Sequence, residues 1–99
     1  MTISEFEQLL SNATDASNLL KAMSNPHRLM ILCILIDDEM TVSTLNDVIP
    51  LSQSALSQHL AALRKADLVS TRRESQQIFY RVNGESATEI IKTLKRLFC

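Results

Sequence analysis

Apolar residues recur every three or four positions from Ile3 to Met23 and again from Leu56 to Leu63, with an unbroken apolar run at 29–36 between them. Past Asp67 they begin to alternate. That switch commits the chain to helices first and a little strand late, because a helix repeats every 3.6 residues and a strand every two. One glycine and two prolines in 99 residues leave few breaks, so each break carries weight. A chain of this length is one domain, and it buries only about 60–70% of the surface its unfolded form exposes. With 45% hydrophobic residues it is neither disordered nor fibrous. Apolar stripes that a small core cannot absorb point to a second copy of the chain.

From Ile3 to Met23 the positions Ile3, Phe6, Leu9, Leu10, Ala13, Ala16, Leu19, Leu20 and Met23 mark an amphipathic helix of about five to six turns. In "SNPHR", Asn25 supplies a cap and Pro26 a first-turn residue with no amide to leave unpaired, so a second helix is expected over about 26–38. Its segment 29–36 has no polar face and belongs at the centre of the core. "TVSTLNDVIP" gives a short third helix capped by Thr41, with Val42, Leu45 and either Val48 or Ile49 facing inward and Pro50 ending it. After a tight turn Ser52 caps a fourth helix over about 53–66. "LVSTRRESQQIFYRV" reads as a hairpin, roughly 68–73 and 77–82 with 74–76 at its tip. The tip lacks Gly and Asn, which leaves its turn type open. Gly84 then opens a last helix, 85–98, striped by Ile90, Ile91, Leu94, Leu97 and Phe98. The expected fold is mainly α with a small β-hairpin, in the order ααααββα.

The fourth helix carries the chemistry. With Gln53 at 0° and 100° per residue, Leu56, Leu60 and Leu63 fall near about 300°, 340° and 280°, one narrow buried stripe. Gln53, Ser54, Ser57, Gln58, Ala61, Arg64 and Lys65 fall within an arc of about 0–140°. That arc is polar, short-chained and free of acid, whereas an ordinary solvated face mixes Glu with Lys. Hydroxyls, amides and cations of this kind bond base edges and phosphates of duplex DNA. A short helix, a turn and a helix with such a face, over about 42–66, make a helix-turn-helix. The hairpin that follows, about 68–82, is then a wing, with Arg72, Arg73 and Gln76 near its tip to reach the adjacent backbone or minor groove.

Charge agrees with that division. Residues 1–49 carry seven acids against two bases, and residues 50–83 carry five bases against two acids. His59 lies beside the buried stripe and is expected to pack or take a hydrogen bond rather than bind metal. His27, at the opening of the second helix, is expected at the surface or at most as a phosphate contact. No Ser/His/Asp arrangement, paired carboxylates or glycine-rich phosphate loop is present, so no enzyme and no cofactor are expected. The longest apolar run, 29–36, is far short of the roughly 20 residues a membrane span needs. Acidic Glu5 and Glu7 stand where a signal peptide would be basic, which makes the cytoplasm the expected location.

The segments "LLKAMSNPHRLMILCIL" and "LSQSALSQHLAALRKADLVSTRRESQQIFYRV", together with the helix order, resemble the ArsR/SmtB family of winged-helix repressors over nearly the whole sequence. The resemblance implies a homodimer joined by the first and last helices, about 3–23 and 85–98, on an inverted-repeat operator. Metal-sensing members of that family carry a Cys-x-Cys pair at the third helix or a His/Asp cluster on the last. Here "TVSTLND" has no thiol and "ESATEIIKTLKRLFC" has neither His nor Asp, so no metal ligands are assigned and a metal-responsive repressor is the weaker alternative.

The two cysteines, Cys33 and Cys99, match instead a dithiol subgroup that responds to sulfide and persulfide. On its surroundings alone Cys33 reads as a small core residue with a raised pKa. Lys95 and Arg96 would favour a thiolate at Cys99. On that chemistry Cys99 is expected to attack first and Cys33 to resolve, and what the resemblance implies is that the two are a pair of sensor thiols. A disulfide or short polysulfide within one subunit would then release the operator of sulfide- or redox-response genes. An activator that displaces a silencing protein is the alternative within the same resemblance.

Overall fold

Four of the five helices begin on a side chain that satisfies their first free amides, and these caps fix where the chain turns. Thr2 forms a reciprocal capping box with Glu5 at the start of α1 (Ile3–Met23). Asn25 accepts from the amides of His27 and Arg28 at the start of α2 (Pro26–Leu35), with Pro26 in the first turn. Thr41 accepts from Thr44 to open α3 (Val42–Val48), and Ser52 accepts from Ala55 to open α4 (Gln53–Lys65). The fifth helix, α5 (Glu85–Phe98), follows Gly84, whose φ of 78° lies in the region glycine occupies without strain. The computed structural model describes all residues 1–99.

Three short strands complete the fold: β1 (Met40–Thr41), β2 (Val69–Glu74) and β3 (Gln77–Val82), antiparallel in the order β1-β3-β2. The hairpin β2–β3 is in register from Val69 opposite Val82 to Glu74 opposite Gln77. It turns through Ser75 and Gln76, and Ser75 has φ 57°. A two-residue turn with positive φ at its first position is normally marked by glycine. A serine there is why the sequence left the turn type open.

The end of the second helix and the number of strands differ from the sequence reading. Helix α2 ends at Leu35 rather than near 38. Asp37, Asp38 and Glu39 follow its C-cap, Ile36, and carboxylates are unfavourable at the negative end of a helix dipole. The chain instead forms β1, which adds a third strand to the expected hairpin by pairing Met40 with Tyr80 and Thr41 with Phe79. Two residues are too few to show alternation.

The core is wholly apolar. Ile31, Leu32 and Leu35 of α2 meet Leu45 and Ile49, the α4 stripe Leu56, Leu60 and Leu63, then Leu68, Val69, and Ala87 and Ile91 of α5. Between the two inward candidates at the end of α3, Ile49 is fully buried and Val48 is 59% exposed. Helix α1 reaches this core only through its last turns, where Met23 is buried and Leu19 and Ala22 pack alongside. Its 21 residues span about 31 Å at 1.5 Å per residue, which accounts for a molecule 53 Å long and only 21 Å thick.

The link from α4 into the wing is a Schellman motif. The Leu68 amide donates to the Leu63 carbonyl at 2.9 Å and the Asp67 amide to the Arg64 carbonyl at 3.0 Å. Leu63 and Leu68, both buried, make the apolar partners of that motif. Asp67 holds the left-handed position with φ 60°, and its carbonyl accepts from the Asn83 side chain at 2.9 Å. The wing therefore leaves the helix at a fixed angle.

Candidate nucleic-acid interface and thiol cleft

The angular reading of α4 holds residue by residue. Leu56, Leu60 and Leu63 have no solvent exposure, while Gln53, Ser54, Ser57, Gln58, Ala61, Arg64 and Lys65 are all exposed. Helix α3 holds α4 from behind with Leu45 and Ile49. The turn between them is closed by Asn46, whose Nδ2 donates to the Leu51 carbonyl at 2.7 Å. The exposed arc is thus a rigid row of hydroxyls and amides with cations at its C-terminal end.

On the wing, Arg73 and Gln76 are exposed at the tip, but Arg72 is already engaged. Its Nε bonds Glu39 at 2.8 and 2.9 Å, its Nη2 also meets Glu39, and its Nη1 reaches Glu74 at 2.7 Å. The guanidinium lies over the Phe79 ring, 4.4 Å from its centroid. Those hydrogen bonds hold the Glu39 carboxyl below its ordinary pKa and push Arg72 above its own. Arg81, on β3, donates from Nε to Ser70 Oγ at 3.2 Å. Arg72 and Arg73, equivalent in the sequence reading, are therefore different: one braces the wing and the other is free at its tip. Glu39 was missed, because only the unforeseen strand β1 brings it beside the wing.

The two cysteines line one cleft of about 310 Å³ between α2 and α5, with Leu29, Leu94, Lys95 and Phe98. Both thiols are free; Cys33 is half-buried and Cys99 exposed. Burial raises the Cys33 pKa, Lys95 draws it back, and Cys99 and Asp37 push it up again. Lys95 in turn lies 3.4 Å from an oxygen of Asp37, so the cation beside the cleft is shared with the end of α2.

His59 is half-buried and takes a hydrogen bond on Nδ1 from Arg28 Nε at 3.2 Å, as its position beside the stripe suggested. His27, half-buried rather than at the surface, stands with its ring centroid 5.7 Å from that of His59. No three His, Cys, Asp or Glu side chains converge on one point. Large apolar residues are grouped in solvent on two helices, Ile3, Phe6, Leu9, Leu10 and Leu20 of α1 and Leu97 and Phe98 of α5, whereas Met30 of α2 and Val48 of α3 are exposed singly.

Comparison with known proteins agrees with this arrangement. Residues 25–71 match the family described as "Bacterial regulatory protein, arsR family". The transcriptional activator HlyU of Vibrio cholerae serotype O1 is 48% identical over 99 residues, covering 100% of this chain and 89% of HlyU. The structure of reduced HlyU from Vibrio cholerae N16961 superposes with a TM-score of 0.89 at 47% identity, covering 94% of this chain and 98% of that one. The transcriptional repressor BigR from Xylella fastidiosa superposes with a TM-score of 0.85 at 40% identity, covering 94% and 92%.

Proposed function

The chain belongs to the ArsR family of bacterial regulatory proteins, and on that premise we propose that it is a dimeric transcriptional repressor that reads duplex DNA through α4 and lets go when Cys33 and Cys99 are linked. One observation carries the DNA reading: an exposed, acid-free arc on α4 made of Gln53, Ser54, Ser57, Gln58, Ala61, Arg64 and Lys65. Set into a major groove, Ser54, Ser57 and Gln58 bond base edges, Ala61 allows close approach, and Gln53, Arg64 and Lys65 meet phosphates. The wing tip, with Arg73 and Gln76, meets the neighbouring backbone while Arg72 keeps the hairpin in place. A second copy is the partner for the apolar faces of α1 and α5, where Phe6, Leu9, Leu10 and Leu20 are each more than half exposed. A two-fold dimer requires an inverted-repeat operator with half-sites about 34–36 Å apart. It works where the genome is, in the cytoplasm.

The switch is carried by the shared cleft of Cys33 and Cys99. The exposed Cys99 thiolate attacks the outer sulfur of a persulfide donor, becomes a persulfide and expels the donor's thiol. Deprotonated Cys33 then attacks the inner sulfur, closing a disulfide and releasing hydrosulfide, so the donor is the oxidant. A second donor molecule loading Cys33 leads by the same chemistry to a three-sulfur bridge. Either link ties the buried α2 to the end of α5. The reduced dimer holds the operator and the bridged one leaves it. The likeness to HlyU, described as an activator, favours a second reading in which the same DNA contact displaces a silencing protein.

The test is titration of a duplex from upstream of the protein's own gene at several salt concentrations, with sedimentation to give the oligomeric state. Each phosphate neutralised contributes about −0.9 to the slope of log affinity against log salt, so a dimer with a slope of several negative units is expected. A slope near zero, or a monomer at micromolar concentration, would overturn the reading.

A further inference from the structure

We propose that Arg28 is a positioning residue for the DNA-reading helix, holding α4 through a hydrogen bond that only a neutral His59 can accept, so that acidification loosens the grip on DNA. The proposal rests on α4 being the helix that reads DNA. Arg28 leaves the first turn of α2, where its own amide is pinned by Asn25 Oδ1 at 3.2 Å. Its guanidinium is shared between two other helices. Nη1 donates to the Ala22 carbonyl in the last turn of α1 at 3.2 Å, and Nε donates to Nδ1 of His59 at 3.2 Å. One planar cation therefore ties the end of α1 to the middle of α4.

The chemistry of the pair fixes its protonation. A guanidinium has donors and no acceptor, so Nδ1 must present a lone pair and the proton of His59 sits on Nε2. Protonating Nδ1 removes the acceptor and sets an imidazolium against Arg28. His59 stands between Gln58, exposed on the DNA arc, and Leu60, fully buried, so a displacement of its backbone moves a base-reading side chain.

Burial lowers the His59 pKa below the ordinary histidine value, and Arg28 and then His27 lower it further. The charges acting on it come from α2; the last turn of α1 adds the Ala22 carbonyl through Arg28, and the basic residue of that turn, Lys21, is exposed. With the native pKa below the unfolded one, the unfolded chain binds more protons in between. The bridge is intact above the ordinary histidine value of about 6.5 and is lost as pH falls through the lowered one.

Two measurements decide it, on the full-length protein. The first follows the His59 ring by NMR through a pH titration, without DNA, in wild type and Arg28→Ala. The expected result is a pKa below the ordinary value in wild type that rises in the variant; an unchanged value overturns the bridge. The second titrates the upstream duplex at about pH 7.5 and at the acidic pH where the ring titration shows His59 protonated; about a tenfold loss of wild-type affinity is expected there when that one hydrogen bond breaks. His59→Gln offers an amide oxygen that cannot be protonated, and it should bind normally at the higher pH and lose the pH dependence. His27→Gln should keep it. A His59→Gln variant with the full wild-type pH dependence overturns the proposal. A wild type that binds no duplex at either pH refutes the DNA reading instead, and the ring titration tells the two failures apart.

Discussion

Arg72 in β2 grips Glu39 in the loop before β1, 33 positions earlier in the chain, through both Nε and Nη2 of its guanidinium. The contact joins the wing to the loop that leaves α2, the helix that carries Cys33. It also spends the charge of Arg72 on Glu39 and Glu74, leaving Arg73 as the free cation of the pair.

Arg73→Ala should therefore weaken binding to operator and random DNA alike and reduce the magnitude of the salt slope by about one phosphate, roughly 0.9. Arg72→Ala should leave the slope nearly unchanged while loosening the hairpin, seen as faster amide exchange in β2 and β3. Equal changes of slope for the two variants would show that Arg72 leaves its carboxylates on DNA.

Ser57→Ala, Gln58→Ala and Ser54→Ala should act on specificity instead. Removing a side chain that bonds a base edge is expected to lower the discrimination between operator and random duplex by about 1–3 kcal/mol. Competition titrations read this directly. An unchanged specificity ratio in all three would mean that another face of the protein reads the bases.

Much of this site was legible in the sequence because helices announce themselves. Thr2, Asn25, Thr41 and Ser52 stand where caps belong, and counting residues round α4 was enough to separate Leu56, Leu60 and Leu63 from the exposed arc. What stayed hidden depends on register and on residues distant in sequence. Strand β1 is two residues long, and without it nothing places Glu39 beside Arg72. The link from α4 into the wing was hidden because Asp67 fills a position usually marked by glycine. Cys33 and Cys99 were paired through the family resemblance, since nothing in their spacing brings the ends of α2 and α5 to one cleft.

Asp67 gives a stability test of that link. Alanine lacks the short polar side chain that makes left-handed backbone tolerable, so Asp67→Ala should destabilise the protein by about 1 kcal/mol, and Asp67→Gly should equal or exceed wild type. Thermal unfolding measures both. Alanine and glycine of equal stability would show that the φ of 60° carries no cost.

The thiols should differ in reactivity before any switch is thrown. Burial raises the Cys33 pKa, so at neutral pH it is held as the poorly nucleophilic thiol, whereas Cys99 is exposed. Timed alkylation of the reduced protein, read by mass spectrometry, should label Cys99 first, with the rate at Cys33 climbing as pH rises into the alkaline range. Faster labelling of Cys33 would reverse the assigned order of attack.

Whether the two thiols govern DNA binding is decided by titrating the upstream duplex with wild type, Cys33→Ser and Cys99→Ser, with and without a persulfide donor, and taking the mass of each sample. All three should bind when reduced, only the wild type should acquire an intramolecular Cys33–Cys99 link, and only the wild type should then lose affinity. The loss should be at least the 1–3 kcal/mol typical of coupling between sites, about 5- to 150-fold. A wild type that stays on DNA while fully cross-linked, or serine variants that leave it on treatment, would contradict the switch and return Cys33 to the role of a core side chain.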